Sequence, residues 1–293
     1  MTFVDEGLGT VEDNDIFSNQ SVGVYMMNRA NPTVRNNTIR DGEGDGVAAV
    51  FAARGLIEGN TISNNAGVGI LVESEAEPRV VRNKISDAHM DGIRVCDNGT
   101  AQIEANTVVG AGRGDKGGSG IVVTNGSSPT VRNNLVRECL SHGILVSSGA
   151  SGVVERNNVS GCGSHGVVIT RQANPVVRSN IVRDNGGIGI WVCNSGRGTL
   201  TENRVQVCGG LSCVHAWGAA LCVDRGRAIG ATRNRNVART REGLRVSALL
   251  PLFTARARDI SRARDARLRP RRLLRAMRVM RAMSDEGDEG RRA

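Results

Sequence analysis

Aromatic side chains are scarce, with 2 Trp, 1 Tyr and 4 Phe making up 2% of the 293 residues. So few rings argue against an aromatic-lined sugar groove and against a base-stacking platform. No apolar run reaches membrane length and no secretory leader opens the chain, so neither a span nor export is predicted. The seven Cys are an odd number and do not suit a disulfide framework. Together with the missing leader they predict a cytoplasmic or nuclear protein. Only 6 Pro are present, and four of them, Pro32, Pro78, Pro129 and Pro175, recur at one place in a repeat. Charge is unevenly divided. Up to Cys208 there are 18 Lys+Arg against 21 Asp+Glu, a net of −3, and from Gly209 onward 20 against 8, a net of +12.

The chain does have a period. An Asn followed two residues later by Ile or Val stands at Asn14, Asn37, Asn60, Asn83, Asn106, Asn134, Asn157, Asn180 and Asn203, every 23 residues except for one step of 28. Three residues before each Asn is an apolar residue, such as Val34, Ile57 and Val80, and two after it Ile39, Ile62 and Ile85. Eight units carry a Gly nine or more residues on, from Gly23 to Gly189, which opens an alternating apolar pair such as Ile93 and Val95. Such units hold three short strands of mostly β-branched residues and no helix, and cannot bury their apolar faces alone. They must stack. The fold predicted is an all-β, single-stranded right-handed parallel β-helix of about nine 23-residue coils over 1–208. A degenerate terminal coil or cap follows over 209–254, then a basic, Arg-rich, partly helical or disordered tail over 255–293.

Each repeated column has a predicted cause. The Asn column is expected to turn the left-handed bend and to hydrogen-bond along the stack as a ladder. The Gly column is expected where φ is positive or a Cβ has no room. Glu12, Arg35, Glu58, Glu104, Arg132, Glu155 and Arg178 alternate two before the Asn and should pair between coils. The five additional residues in 110–120 are Gly-rich and predicted to form a mobile loop, not a phosphate loop. The chain starts inside a coil, which suggests a fragment or an end covered by something else.

Candidate functional residues are few. Immediately before the recurring Gly come Asp91, Ser119, His142 and His165, which stacking would place on four successive coils as a ligand or partner patch. They do not suit a hydrolytic triad, because Ser119 separates the Asp from the His residues. Asp41, Asp87, Glu138 and Asp184 repeat every second coil and are read as architecture. Cys208, Cys213, His215 and Cys222 match no standard zinc spacing, so neither metal nor cofactor is predicted. The Arg-rich tail offers contact with nucleic acid or an anionic surface.

The alternation of Asn31-Pro32-x-Val34-Arg35-x-Asn37 with Gly55-x-Ile57-Glu58-x-Asn60 resembles the β-helical repeats of F-box only proteins, and the same repeat type occurs in carbohydrate-active, pectate-lyase-like proteins. The F-box resemblance implies a non-catalytic scaffold that presents a side face to a protein partner within a ubiquitin-ligase assembly. The alternative is a carbohydrate-binding or polysaccharide-cleaving β-helix, whose mark would be one unrepeated acidic cluster.

Overall fold

The computed structural model describes residues 1–115, 117–206 and 208, with the backbone alone of Ser212–Ala216, Ala219–Asp224 and Arg227–Ala231. Each 23-residue period lays down three short strands, as in Ile70–Val72, Arg79–Val81 and Lys84–Ser86. Every one joins a different parallel sheet. Ile70 pairs with Val47 and Ile93, Val80 with Ile57 and Ile103, and Ile85 with Ile62 and Val108. The partners are one period apart, so each coil lies in register on the next. The register survives the 28-residue step, where Ile103 meets Val131 and Val108 meets Val136. Successive strands of one sheet are thus joined by a whole turn of chain, and the right-handed sense is the one that twisted strands impose on such crossovers. The molecule is a right-handed parallel β-helix of about nine coils, as predicted.

Side-chain alternation sorts each strand into an inner and an outer set. Inside lie Val47 and Ala49, Ile70 and Val72, Ile93 and Val95, with the isoleucines and valines of the other two sheets, all in one continuous core. Cys139, Cys162 and Cys208 belong to that core, whereas Cys96 and Cys193, although buried, lie on the outer side of the first sheet.

The Asn column forms the expected ladder. Asn37 Nδ2 donates to Asn60 Oδ1 at 3.0 Å, Asn60 to Asn83 at 3.0 Å, and Asn83 to Asn106 at 3.0 Å. The bend, however, is not made by these residues. Left-handed backbone falls one position earlier, at Asp13, Asn36, Gly59, Arg82, Ala105, Asn133, Arg156, Ser179 and Glu202. A ladder Asn is needed for its amide, and Oδ1 of each also accepts the backbone N–H of the Asn one coil before, as Asn83 does from Asn60 at 3.0 Å.

The glycine column obeys the second of its two expected causes. At Gly69 a Cβ would lie 2.5 Å from Gly92 O and 2.5 Å from Ile85 Cγ2, with no left-handed φ involved. Ion pairs link coils at Glu12–Arg35 (2.7 Å), Glu104–Arg132 (2.8 Å) and Glu155–Arg178 (2.6 Å). Where Val81 interrupts the alternation, Arg82 supplies the cation for Glu58 instead. Asp41, Asp87, Glu138 and Asp184 all have left-handed φ, which bears on their repetition: they turn the chain.

The Gly-rich insertion is stitched to the preceding coil. Gly112 N–H and Arg113 N–H donate to Ala88 O at 2.9 and 3.2 Å, Gly114 N–H donates to His89 O at 2.9 Å, and Arg113 pairs with Asp87 at 2.6 Å. Beyond the nine coils Ser212–Ala216 continues the first sheet in parallel, and Ala219–Asp224 and Arg227–Ala231 follow it antiparallel. The Cys213, His215 and Cys222 side chains and the basic tail lie outside the described residues.

Candidate functional site

Asp91, Ser119, His142 and His165 do stack on successive coils beside the first sheet, but most of their polar atoms are already engaged. Asp91 Oδ1 accepts the Ser119 N–H at 2.8 Å, and Asp91 Oδ2 is held by Arg94 at 2.5 and 2.7 Å. His142 Nδ1 accepts from His165 N at 3.4 Å, and His165 Nδ1 accepts from Ile188 N at 2.7 Å. Asp45 does the same for Val68 N at 2.6 Å. The column therefore ties coil to coil. These bonds place the imidazole proton on Nε2. The rings of His142 and His165 stack at 5.3 Å, and Trp191 tilts against His165 at 4.6 Å. Burial, with His142 adding to it, pushes His165 down to about 4.

A second constellation stands on the outer side of the same sheet, one or two positions past the strands. Its first column reads Met27, Val50, Glu73, Cys96, Thr124, Ser147, Thr170 and Cys193, with a single carboxylate, Glu73. Asp97 follows Cys96, one coil on. Oxygen and sulfur atoms of Glu73, Cys96 and Asp97 all lie within 4.8 Å of one another. Burial raises the Glu73 carboxyl above the ordinary glutamate range; a hydrogen bond to Asp97 and the charges of Asp97 and Asp45 raise it further, against the pull of Arg94. A second carboxylate this close disfavours the charge on Glu73. Burial also pushes Cys96 up to about 11, helped by Glu73 and Asp97. The raised Glu73 carboxyl equips the set to hold and move a proton.

Sequence reading missed Glu73 and Asp97. The available signal was the column itself, in which Glu73 is the one acid among apolar, thiol and hydroxyl neighbours. The closeness of Glu73 to Asp97 arises from two coils meeting and has no counterpart along the chain.

The family model described as "Right handed beta helix region" matches residues 3–116 and 114–226. No curated protein sequence matches the chain. Two solved structures of the periplasmic alginate epimerase AlgG, a single and a double mutant, superpose with TM-scores of 0.60 and 0.60 at 16% and 17% identity. Each alignment covers 68% of this chain and 51% of the AlgG chain, so the chain spans about half the length of the structures it matches.

These findings correct the F-box resemblance, and with it the non-catalytic ubiquitin-ligase scaffold. The Pro/Gly alternation that carried it follows from packing: a Cβ at Gly198 would come within 2.8 Å of Pro175 O, and Gly55 and Gly152 press on Pro32 O and Pro129 O in the same way. The cytoplasmic or nuclear expectation is corrected too, since AlgG is periplasmic. Of the thiols behind that expectation, the five among the described residues are buried, unpaired and fill space, so they do not report a compartment. Among the described residues no helix is long and apolar enough to cross a membrane. The coils and the matched model together cover most of the sequence, and the chain belongs to the right-handed beta helix region family.

Proposed function

We propose that the chain binds a polysaccharide on the outer face of its first sheet and modifies it through the Glu73–Asp97 pair. The observation that carries this reading is the one unrepeated carboxyl pair found among the described residues, on a face otherwise built from repeated columns. A general acid must hold its proton near neutral pH, and the raised Glu73 carboxyl moves in that direction. Glu73 then donates its proton to the oxygen of a sugar–sugar bond as the bond from that oxygen to the anomeric carbon breaks. The Asp97 carboxylate offsets the positive charge developing on that carbon, and water adds there and returns a proton to Glu73. The two groups are too close for a water to stand between them as in an inverting glycosidase, so they work as one acid–base unit. The fold shared with AlgG, an alginate epimerase, supports a polysaccharide as the ligand class.

The test incubates the full chain and Glu73→Gln with a panel of neutral, amino-sugar and uronate polysaccharides, followed by reducing-end assay and proton NMR. The expected result is turnover of one class, reduced about 10²–10⁴-fold in the variant. A panel in which nothing is bound or altered, or a variant as active as the parent, overturns the reading.

A further inference from the structure

Every coil leaves the first sheet through two consecutive left-handed residues. The first of the two is Asp5, Asn28, Phe51, Ser74, Asp97, Asn125, Ser148, Arg171 or Asn194, in chain order. Asp and Asn tolerate this backbone; a bulky aromatic does so least. Several of the polar members also bond along the column, Asn28 Nδ2 to Asp5 Oδ1 at 2.9 Å and Asn125 Nδ2 to Asp97 Oδ1 at 2.8 Å. Phe51, with φ of 53°, gives up that bond, and its neighbour Ala52 is left-handed as well, at 57°. Nor does the ring gain burial in exchange, for Phe51 is 53% exposed. It costs the fold backbone energy and covers little of the core.

Its surroundings suggest what the ring is for. Phe51 and Ala52 form the divide between two shallow depressions of about 500 and 400 Å³. One is lined by Asp5, Glu6, Asn28 and Arg29, the other by Ser74, Glu75, Asp97 and Asn98. The second thus shares Asp97 with the carboxyl pair. An aromatic face flanked by amides, hydroxyls and carboxylates fits a pyranose, whose C–H edge meets the negative face of the ring while its hydroxyls find polar partners at the rim. The charges are one-sided. Four carboxylates line the two depressions, and the one cation among those lining residues, Arg29, is paired with Glu6 at 3.1 Å. Glu73 adjoins Asp97, and Arg94 is taken up by Asp91. A polyuronate would bring further carboxylates into this field.

We propose that Phe51 is the sugar-stacking platform of a subsite next to Glu73 and Asp97, and that the glycan it takes carries no carboxylate. This rests on the polysaccharide reading above and narrows it to neutral or amino sugars, unlike the alginate for which the AlgG epimerase is named. The backbone around Phe51 stays in the ladder whatever its side chain, with Arg29 N–H donating to Phe51 O at 3.1 Å and Ala52 N–H to Ser74 O at 2.8 Å. Substitution there leaves the coil intact.

The experiment measures binding of neutral, amino-sugar and uronate oligosaccharides to the full chain, Phe51→Ala, Phe51→Asn and Phe51→Trp, with thermal unfolding as the check on folding. Neutral or amino-sugar oligomers should bind, lose about tenfold in affinity in the Ala and Asn variants, and keep it in the Trp variant. Equal binding by the Ala and Asn variants overturns the platform. Uronate oligomers bound as tightly as the others overturn the charge argument; if they are also turned over in a Glu73-dependent way, the proposed function stands while this inference falls. No binding in any class removes both.

Discussion

At Asn83 a single amide serves three partners. Its Nδ2 donates to Ile57 O at 2.8 Å and to Asn106 Oδ1 at 3.0 Å, and its Oδ1 takes the backbone N–H of Asn60 at 3.0 Å. The side chain is buried, so Asn83→Ala strands a backbone donor and a carbonyl away from water. We expect a loss of about 2–4 kcal/mol in chemical unfolding, against about 1 kcal/mol for Asn14→Ala at the half-buried first coil. Phe51→Asn should move the other way, gaining about 1 kcal/mol by putting a tolerant residue on left-handed backbone; a loss would mean that the ring does pack. His165 makes stability pH-dependent. Its folded affinity for protons lies well below the ordinary histidine value, at about 4, so between pH 6.5 and 4 the unfolded chain binds the additional proton. The contribution is complete above pH 6.5 and lost as pH falls toward 4. Urea unfolding across that window should show a drop of about 2 kcal/mol, allowing for partial screening, and His165→Gln should flatten it.

Within one coil the fold was legible because it is copied. A period of 23, an apolar residue on either side of each Asn and a Gly before each first-sheet strand fix which residues face inward, since a slip of one would turn every strand inside out. The bend was misplaced by one residue because the repeat shows which positions recur without showing what each atom does; Arg82, Ala105 and Arg156 sit in the left-handed position and carry no common signature. The candidate site was hidden for the opposite reason. Glu73 and Phe51 are departures from their columns, and departures resemble drift until the stacking shows what they touch, while Asp97 is an ordinary member of its column. The glycine column offers a test at this scale. Gly69→Ala drives a Cβ against Gly92 O, which is backbone and cannot yield, and should cost about 1–3 kcal/mol. Gly149→Asn, at left-handed φ of 72° with nothing within 4 Å, should change thermal stability by less than about 0.5 kcal/mol.

Over the whole molecule the stack acts as a ruler. Phe51, Ser74 and Asp97 occupy one column on three successive coils and Glu73 precedes Ser74, so the proposed platform stands one rung from Glu73 and two from Asp97, about 4.8 and 9.6 Å along the axis at strand spacing. The proton held on the raised Glu73 carboxyl likewise depends on coils meeting, since Asp97 lies one coil on. If turnover requires Glu73 to hold that proton, activity should decline as pH rises through its raised value, and not as pH falls through the ordinary glutamate range. Asp97→Asn removes a charge that keeps the proton on Glu73, so the alkaline decline should move to lower pH. A merely structural Asp97 would lower activity at all pH values and leave the midpoint where it was. Ligand length reads the same geometry independently of the chemistry. A monosaccharide on the Phe51 ring does not extend to Asp97, so affinity should rise with added sugars until the oligomer spans the two rungs, and then level off. Phe51→Ala should abolish the rise, because the far end of the ruler is gone, while Glu73→Gln should leave it in place.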